Sequence, residues 1–467
     1  MNKGDHFEHS LSFEPEHAEA LLGKIPAKCG VFALHGPALG ANDDPARRAQ
    51  PYIARTANLR RRLVRLLSPP ETQSKRLNLR NRVGRVEYTV TGSEFESTLL
   101  LYRAYMQLYS PAEARKRLRL HTPFFIRFAA ENAHPRAYVT NRLSKRSIDC
   151  CYGPFQSRTA AERFLDESLN LFKLRRCTDD LKPDPAFPGC VYSEMKMCLA
   201  PCFKGCTEER YAEEAVAVRR YLDTRGESLL AEISTARDRA SESMEFERAA
   251  SLHTQMLKVK AVAQLVDEIV RPIPELDALI LQPSAHGLEA SADIALFLLH
   301  GGVLSGPVDL STLGMRHANE RSGSTSLFAQ PLALAPVPLA EAGSISPSPV
   351  ASGGLKGTPG GGAISSVAVS LDDRLLGAIE LLRTDGRGPK DMATLSDQLA
   401  LLKRWYYRPE KQRVGEIFFA DQAPTGKSSS GFPLKRILRG VSRVFSGVRE
   451  ATAEERVEAT YNLHNPH

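Results

Sequence analysis

The sequence predicts an α+β protein made of small sheets and separate helical segments. Three observations carry that prediction. Short apolar runs between turn residues near the N-terminus alternate with single amphipathic helices. Glu208 to Ile269 is helix-forming throughout and holds no proline. Leu276 to Asp309 then reads as strands joined at Gly301-Gly302. The chain has 467 residues, 42% hydrophobic and 25% charged. That is ordinary for globular domains and excludes collagen-like, mucin-like and wholly disordered chains. Its longest apolar run, Ile294 to Leu304, is interrupted by His300, Gly301 and Gly302 and falls short of the ~20 residues of a membrane span. Met1 to His9 is polar and lacks an apolar core, so a cytoplasmic protein is expected, with no membrane partner.

The elements follow in order. Residues 1–28 read as a polar leader with one short helix near His17 to Leu22. A first module, expected to hold a small mixed sheet flanked by helices, spans 29–118. Gly30 to Leu34, Gln50 to Ala54 and Arg85 to Val90 are its strand candidates. Asn58 to Leu67 repeats leucine at helical spacing with arginine between, a basic amphipathic helix. Glu94 to Leu108 is a helix that Ser93 can cap and Pro111 ends. A connecting region, 119–206, holds strand candidates Phe124 to Phe128 and Ala137 to Thr140, a helix over Ala160 to Leu174, and a Cys- and Pro-rich insert. Residues 207–271 are helical, and 272–318 a small β region. Residues 319–366, dense in Gly, Ser, Pro and Ala, read as a flexible linker. Residues 367–420 form a smaller C-terminal α/β segment with the single tryptophan, Trp405. The last stretch, 421–467, reads as a mobile basic tail in which Phe432 to Val448 can form an amphipathic helix.

The formal charge of +8 is unevenly spread. Arg47 to Val86 carries twelve basic residues against the single acid Glu71, and the rest of the chain is slightly acidic. Such a segment is either a nucleic-acid contact surface or a solvated arginine-rich face. Eight cysteines are present, five of them within Cys177 to Cys206. Without a secretion signal a disulfide framework is the weaker reading. Clustered thiolates suit a soft-metal site, zinc or iron–sulfur, and the plain alternative is a set of buried, unligated cysteines.

The residues around the basic helix carry a resemblance. Gly30-Val31-Phe32, a loop, and then Tyr52-Ile53-Ala54-Arg55-Thr56-Ala57-Asn58-Leu59 followed by Arg60, Arg61 and Arg62 resemble the GIY-YIG endonuclease module of the UvrC excinuclease family. The likeness continues in the family's order. Ser93-Glu94-Phe95-Glu96 with Leu99-Leu100-Leu101 resembles the helix that bears the metal-ligating glutamate, and Tyr152-Gly153-Pro154-Phe155 resembles the Gly-Pro-Tyr segment. Cys177, Cys190 and Cys198-Leu199-Ala200-Pro201-Cys202 resemble its cysteine segment, and Met244-Glu245-Phe246-Glu247-Arg248-Ala249-Ala250 its UVR motif.

That resemblance implies a UvrC-like DNA-repair protein that binds DNA and a UvrB-like helicase subunit and incises phosphodiesters. Tyr52, Arg62 and Arg55 become the catalytic candidates, and Arg60, Arg61 and Arg65 the DNA-binding ones. Cys177, Cys190, Cys198 and Cys202 would hold an iron–sulfur cluster, with zinc as the alternative. Phe246, Glu247 and Arg248 would meet the partner. An active site would also need a divalent metal such as Mg²⁺, whose ligand is not apparent. Three departures bear on cleavage: Phe32 replaces the first-motif tyrosine, Ala54 the second-motif glycine, and Tyr102 stands where the family has its glutamate. The alternative is therefore a non-catalytic adaptor that binds DNA and partner. A third reading, from another class, is a cysteine-cluster redox protein on a remnant nuclease scaffold. The family's C-terminal ribonuclease-H-like and helix-hairpin-helix patterns are not found. Asp372-Asp373 reads as a solvent-facing pair, and Gly426-Lys427-Ser428 lacks the first glycine of a phosphate loop.

Overall fold

The computed structural model describes residues 7–37, 50–69, 77–178, 181–285, 293–312, 370–385, 391–421 and 431–446. The first module contains β1 (His9–Ser12), α1 (Ala18–Lys24), β2 (Gly30–His35), β3 (Tyr52–Thr56), α2 (Leu59–Leu67), β4 (Arg85–Val90), α3 (Glu94–Leu108) and α4 (Pro111–Leu118). Its sheet runs β1-β4-β2-β3, with every pairing antiparallel rather than the mixed arrangement expected. The leader is part of this module. His9 sits opposite Tyr88 in the ladder, and Phe13, Ala18, Leu22 and Ile25 are buried with the sheet.

Side chains alternate across a strand, so the two faces of this sheet have different neighbours. Phe32 and Leu34 pack with Leu59, Leu63, Leu66 and Leu67 of α2. Val31, Ala33 and Ile53 pack with Phe95, Leu99 and Tyr105 of α3. Each fully buried leucine of α2 stabilises by about 1.5–3 kcal/mol, which anchors a helix whose outer face is mostly arginine. Gly30 is required where it stands: a Cβ there would lie 2.4 Å from the Thr89 carbonyl oxygen and 2.7 Å from Leu59. Asn58 caps α2 by accepting from the Arg61 N–H, and Ser93 caps α3 by accepting from the Glu96 N–H.

The middle of the chain holds β5 (Phe124–Phe128), β6 (Ala137–Thr140), β7 (Cys151–Phe155), α5 (Arg158–Leu169), the one-turn α6 (Val191–Glu194), α7 (Glu208–Asp223), α8 (Glu227–Glu242), α9 (Phe246–Ala263) and β8 (Arg271–Pro272). Its sheet order is β6-β5-β7-β8. The helical stretch from Glu208 breaks without proline. Gly226 and Met244 adopt left-handed φ values of 93° and 58°, which end one helix and start the next. Helices α8 and α9 thus fold back on each other as a hairpin.

The third unit contains β9 (Ala278–Pro283), β10 (Ile294–His300), β11 (Val303–Leu310), α10 (Leu371–Asp385), α11 (Met392–Tyr406), β12 (Glu416–Phe419) and α12 (434–446). Its antiparallel order is β11-β10-β9-β12. The small β region and the C-terminal segment are therefore one sheet, although the linker reading separated them. Leu279, Leu281 and Leu296 face α10 and α12. Ile280, Ala295 and Phe297 face α11. Residues 431–446 are not a mobile tail. Phe432, Ile437, Val441, Val444 and Phe445 are buried in that second face, as an amphipathic helix there requires. The linker 319–366, a strand expected from Val367 and Gly426-Lys427-Ser428 lie outside the described residues. Asp372 and Asp373 are exposed, as expected, but in the first turn of α10 rather than on a turn.

Candidate functional site

Tyr52 and Arg62 come together. The Arg62 guanidinium (Nη2) donates to the Tyr52 hydroxyl at 3.4 Å, and the Tyr52 ring lies 6.2 Å from that of Phe32. Phe32 is fully buried, so the residue that lacks the motif hydroxyl serves as core. Ala54 lies in regular strand opposite Phe32, with no left-handed φ, so no glycine is needed there.

Arg55 does not join this pair. Three residues beyond Tyr52 on a strand, it faces the α3 side of the sheet. There it donates to the Glu94 carboxylate. Arg408, just beyond α11, grips the same carboxylate at 2.6 and 2.8 Å. The Arg408 hydrogen bonds lead, with Arg55 adding to them, in holding the Glu94 carboxyl well down, at about 2. The Glu96 carboxylate accepts from the Gly92 N–H.

Tyr102, which the resemblance sets where a glutamate is expected, is 3% exposed. Its hydroxyl lies 3.3 Å from an Asp397 carboxylate oxygen, and Arg115 Nε binds both oxygens of that carboxylate at 2.8 and 2.9 Å. Burial first, and Asp397 second, push the Tyr102 hydroxyl upward, so it stays protonated and donates. A carboxylate at residue 102 would face Asp397 rather than solvent. The leucine spacing of α11 gave no sign of this triad: Asp397 is buried on the opposite side of the helix from Leu395, Leu399 and Leu402.

On α2, Arg60, Arg61 and Arg65 project outward. Arg60 is tethered by its Nε to the Ile25 carbonyl at 2.6 Å, while Arg61 and Arg65 have no acidic partner among the described residues. Of the other basic residues in that stretch, Arg47, Arg48, Lys75 and Arg76 lie outside the described residues, and Arg80 binds the Leu67 carbonyl at the end of α2.

The four cysteines of the insert are neighbours. Burial pushes the Cys198 thiol up to about 11, and Cys177, Cys202 and Cys190 each add to that rise. Cys198 Sγ accepts from the Ala200 N–H at 3.3 Å, and Arg175 donates to Cys177 Sγ at 3.6 Å. Such N–H donors stabilise a thiolate. The backbone of Leu199 is tied to Lys173, which brings the two ends of the insert together. Among the described residues no group of three or more His, Cys, Asp or Glu closes on one metal-ion position.

The α8–α9 hairpin presents its tip to solvent. Phe246 is 69% and Met244 76% exposed. Glu247 is exposed beside them, and Arg248 pairs with Glu245 at 2.9 Å.

Known proteins match the same parts. Residues 124–221 match the middle domain of the UvrC/Cho excinuclease family, and residues 227–262, the α8–α9 hairpin, match the UvrB/UvrC motif. Over those stretches the chain is similar to UvrC-family proteins. The UvrABC system protein C of Alcanivorax borkumensis is 29% identical over 253 residues, covering 54% of this chain and 39% of that protein. The protein of the same name from Escherichia coli O1:K1 is 26% identical over 248 residues, covering 53% and 38%. That of Francisella tularensis subsp. holarctica is 25% identical over 213 residues, covering 46% and 34%. The matches thus span under two fifths of these UvrC relatives. No solved structure matches. Among the described residues no helix is long and apolar enough to cross a membrane.

Proposed function

We propose that this UvrC-family chain acts in nucleotide-excision repair as an adaptor that binds DNA and a UvrB-type subunit without cutting the strand. The observation that carries the reading is Tyr102. Hydrolysis at a one-metal site needs a carboxylate that holds the ion beside the scissile phosphate. The position that supplies it in the GIY-YIG resemblance is a buried tyrosine bound to Asp397. Asp397 is itself neutralised by Arg115 and 5% exposed. Arg55 is held by Glu94 on the other face of the sheet, so the Tyr52–Arg62 pair lacks that cation as well. Residual incision is a second reading, supported by that Tyr52–Arg62 contact alone.

DNA would be held by Arg61 and Arg65 on the outer face of α2, and the partner by Phe246, Glu247 and Arg248 at the hairpin tip. Cys177, Cys190, Cys198 and Cys202 would hold an iron–sulfur cluster. The donor chemistry fits: four thiols, two of them already accepting N–H bonds. Zinc, which thiolates bind equally well, is the alternative. When bound, the cluster would supply cross-linking of the insert, and the cysteines would have to deprotonate to take it up. The test of the binding roles is a pair of variants. Arg61→Gln with Arg65→Gln should weaken duplex binding about tenfold at low salt, as expected for two lost phosphate contacts. Phe246→Asp should weaken capture of a purified UvrB-type subunit and leave duplex binding alone. Wild-type behaviour of both variants overturns the proposal.

A further inference from the structure

We propose that the middle sheet carries a second nucleic-acid surface, in which Arg136 on the Tyr138 ring and Arg142, Lys145 and Arg146 on the connection after β6 hold the phosphate backbone of a DNA strand. The inference rests on the reading that the chain binds DNA and adds a surface separate from α2.

Residues 127 to 146 hold five basic side chains and one acid, Glu131. The fold gathers them. Tyr138 on β6 stands directly opposite Arg127 on β5, so the two share a face of the sheet. The Arg127 and Arg136 guanidinium carbons lie 5.8 and 4.8 Å from the Tyr138 ring centroid. Cys151 on β7 stands opposite Arg127 on its other side, and the Ser147 side chain lies close enough to its thiol to act on it. The connection from β6 to β7, residues 141–150, therefore passes over this same face. Arg142, Lys145 and Arg146 project from that connection and are exposed.

What these groups lack is as informative as where they sit. Arg117, Arg158, Arg210 and Arg248 each have an acid one turn away on their helices. Arg127 is paired with Glu131. Arg136, Arg142, Lys145 and Arg146 have no ion-pair partner among the described residues. Gathering like charges without counter-charges destabilises a surface unless an anion binds there. A guanidinium laid on an aromatic ring is already ordered and keeps its in-plane N–H donors for phosphate oxygens. The half-exposed Tyr138 among the cations adds an apolar, flat contact suited to sugars and bases rather than to a carboxylate-rich peptide.

The experiment is fluorescence anisotropy of the full chain with a labelled duplex of about 30 base pairs across a salt series, long enough for several phosphate contacts. The variants are R136Q/R142Q/R146Q and, separately, R61Q/R65Q. The triple variant should bind at least about tenfold more weakly at low salt, and its slope of log affinity against log salt should fall by about two to three. Capture of the UvrB-type subunit should be unchanged. A triple variant with wild-type affinity and slope, while R61Q/R65Q loses binding, overturns this surface and leaves the function above standing. Wild-type behaviour of both variants removes DNA binding by either surface. Should the triple variant fail to fold, R142Q on the exposed connection is the substitute, with an expected slope decrease of about one. An unchanged slope for R142Q overturns the surface equally.

Discussion

Tyr102, Asp397 and Arg115 form a buried polar triad that carries the proposed loss of cleavage at the scale of single residues. A buried carboxylate needs a partner, and Arg115 supplies it with two hydrogen bonds. Arg115→Met should lower the unfolding free energy by about 3 kcal/mol, because it leaves Asp397 buried and unpaired. The double variant Arg115→Met, Asp397→Leu should recover part of that loss in a urea titration. Equal losses in both would remove the pair's structural role. Glu94 has its own signature. Its carboxyl is held at about 2 by Arg408 and Arg55, below its ordinary 4.5. A depressed folded pKa contributes stability that is present above about pH 4.5 and lost as pH falls toward 2. The stability gap between wild type and Glu94→Gln should therefore shrink over that window. A gap constant from about pH 6 down to about pH 2 would contradict the ion-pair account. Much of this was hidden in the sequence. Tyr102 was legible as a missing carboxylate, but its partner lies 295 residues away. Arg408 was invisible for the same reason, being 314 residues from Glu94.

At the scale of elements, local signals were read well wherever caps and periodicity agreed. Ser93 and Pro111 bracketed α3, and Asn58 with its leucine spacing marked α2. The helical stretch after Glu208 was legible in type but not in its breaks, because the chain turns at Met244, a residue type that rarely takes positive φ. That turn sets Phe246 at the tip of the hairpin with 69% of it exposed. Phe246→Asp should weaken UvrB-type docking at least about tenfold by surface plasmon resonance, as an exposed aromatic anchor would. The melting curve should stay near wild type because nothing buried is lost. Unchanged affinity would move the interface off the tip. The cysteine insert stood out by its clustered cysteines, while the set Cys177, Cys190, Cys198 and Cys202 came only from the resemblance. Chain purified anaerobically should absorb in the iron–sulfur charge-transfer region, and Cys198→Ala should abolish the band. Colourless protein with stoichiometric zinc would contradict the cluster.

Across the whole molecule, the α3 helix is the junction. It covers one face of the first sheet and meets the third unit, where the Phe95 ring lies 5.2 Å from Phe297 and 5.1 Å from Trp405. The separation of 272–318 from 367–420 missed this, since β12 pairs with β9 from far along the chain and leaves no local mark. The leader and the final helix were misplaced for a related reason. Both are short and polar on one side, and their places are set by distant partners: β1 pairs with β4, and the final helix packs on the third sheet. The same junction buries Tyr102 against Asp397, and its Arg408 shares the Glu94 carboxylate with Arg55. The most direct measurement is nicking of supercoiled plasmid with Mg²⁺ or Mn²⁺ by the wild-type chain beside Tyr52→Phe and Arg62→Ala. The account predicts that the plasmid is bound and stays supercoiled with all three proteins. Nicking by the wild type that is lost in both variants would contradict it.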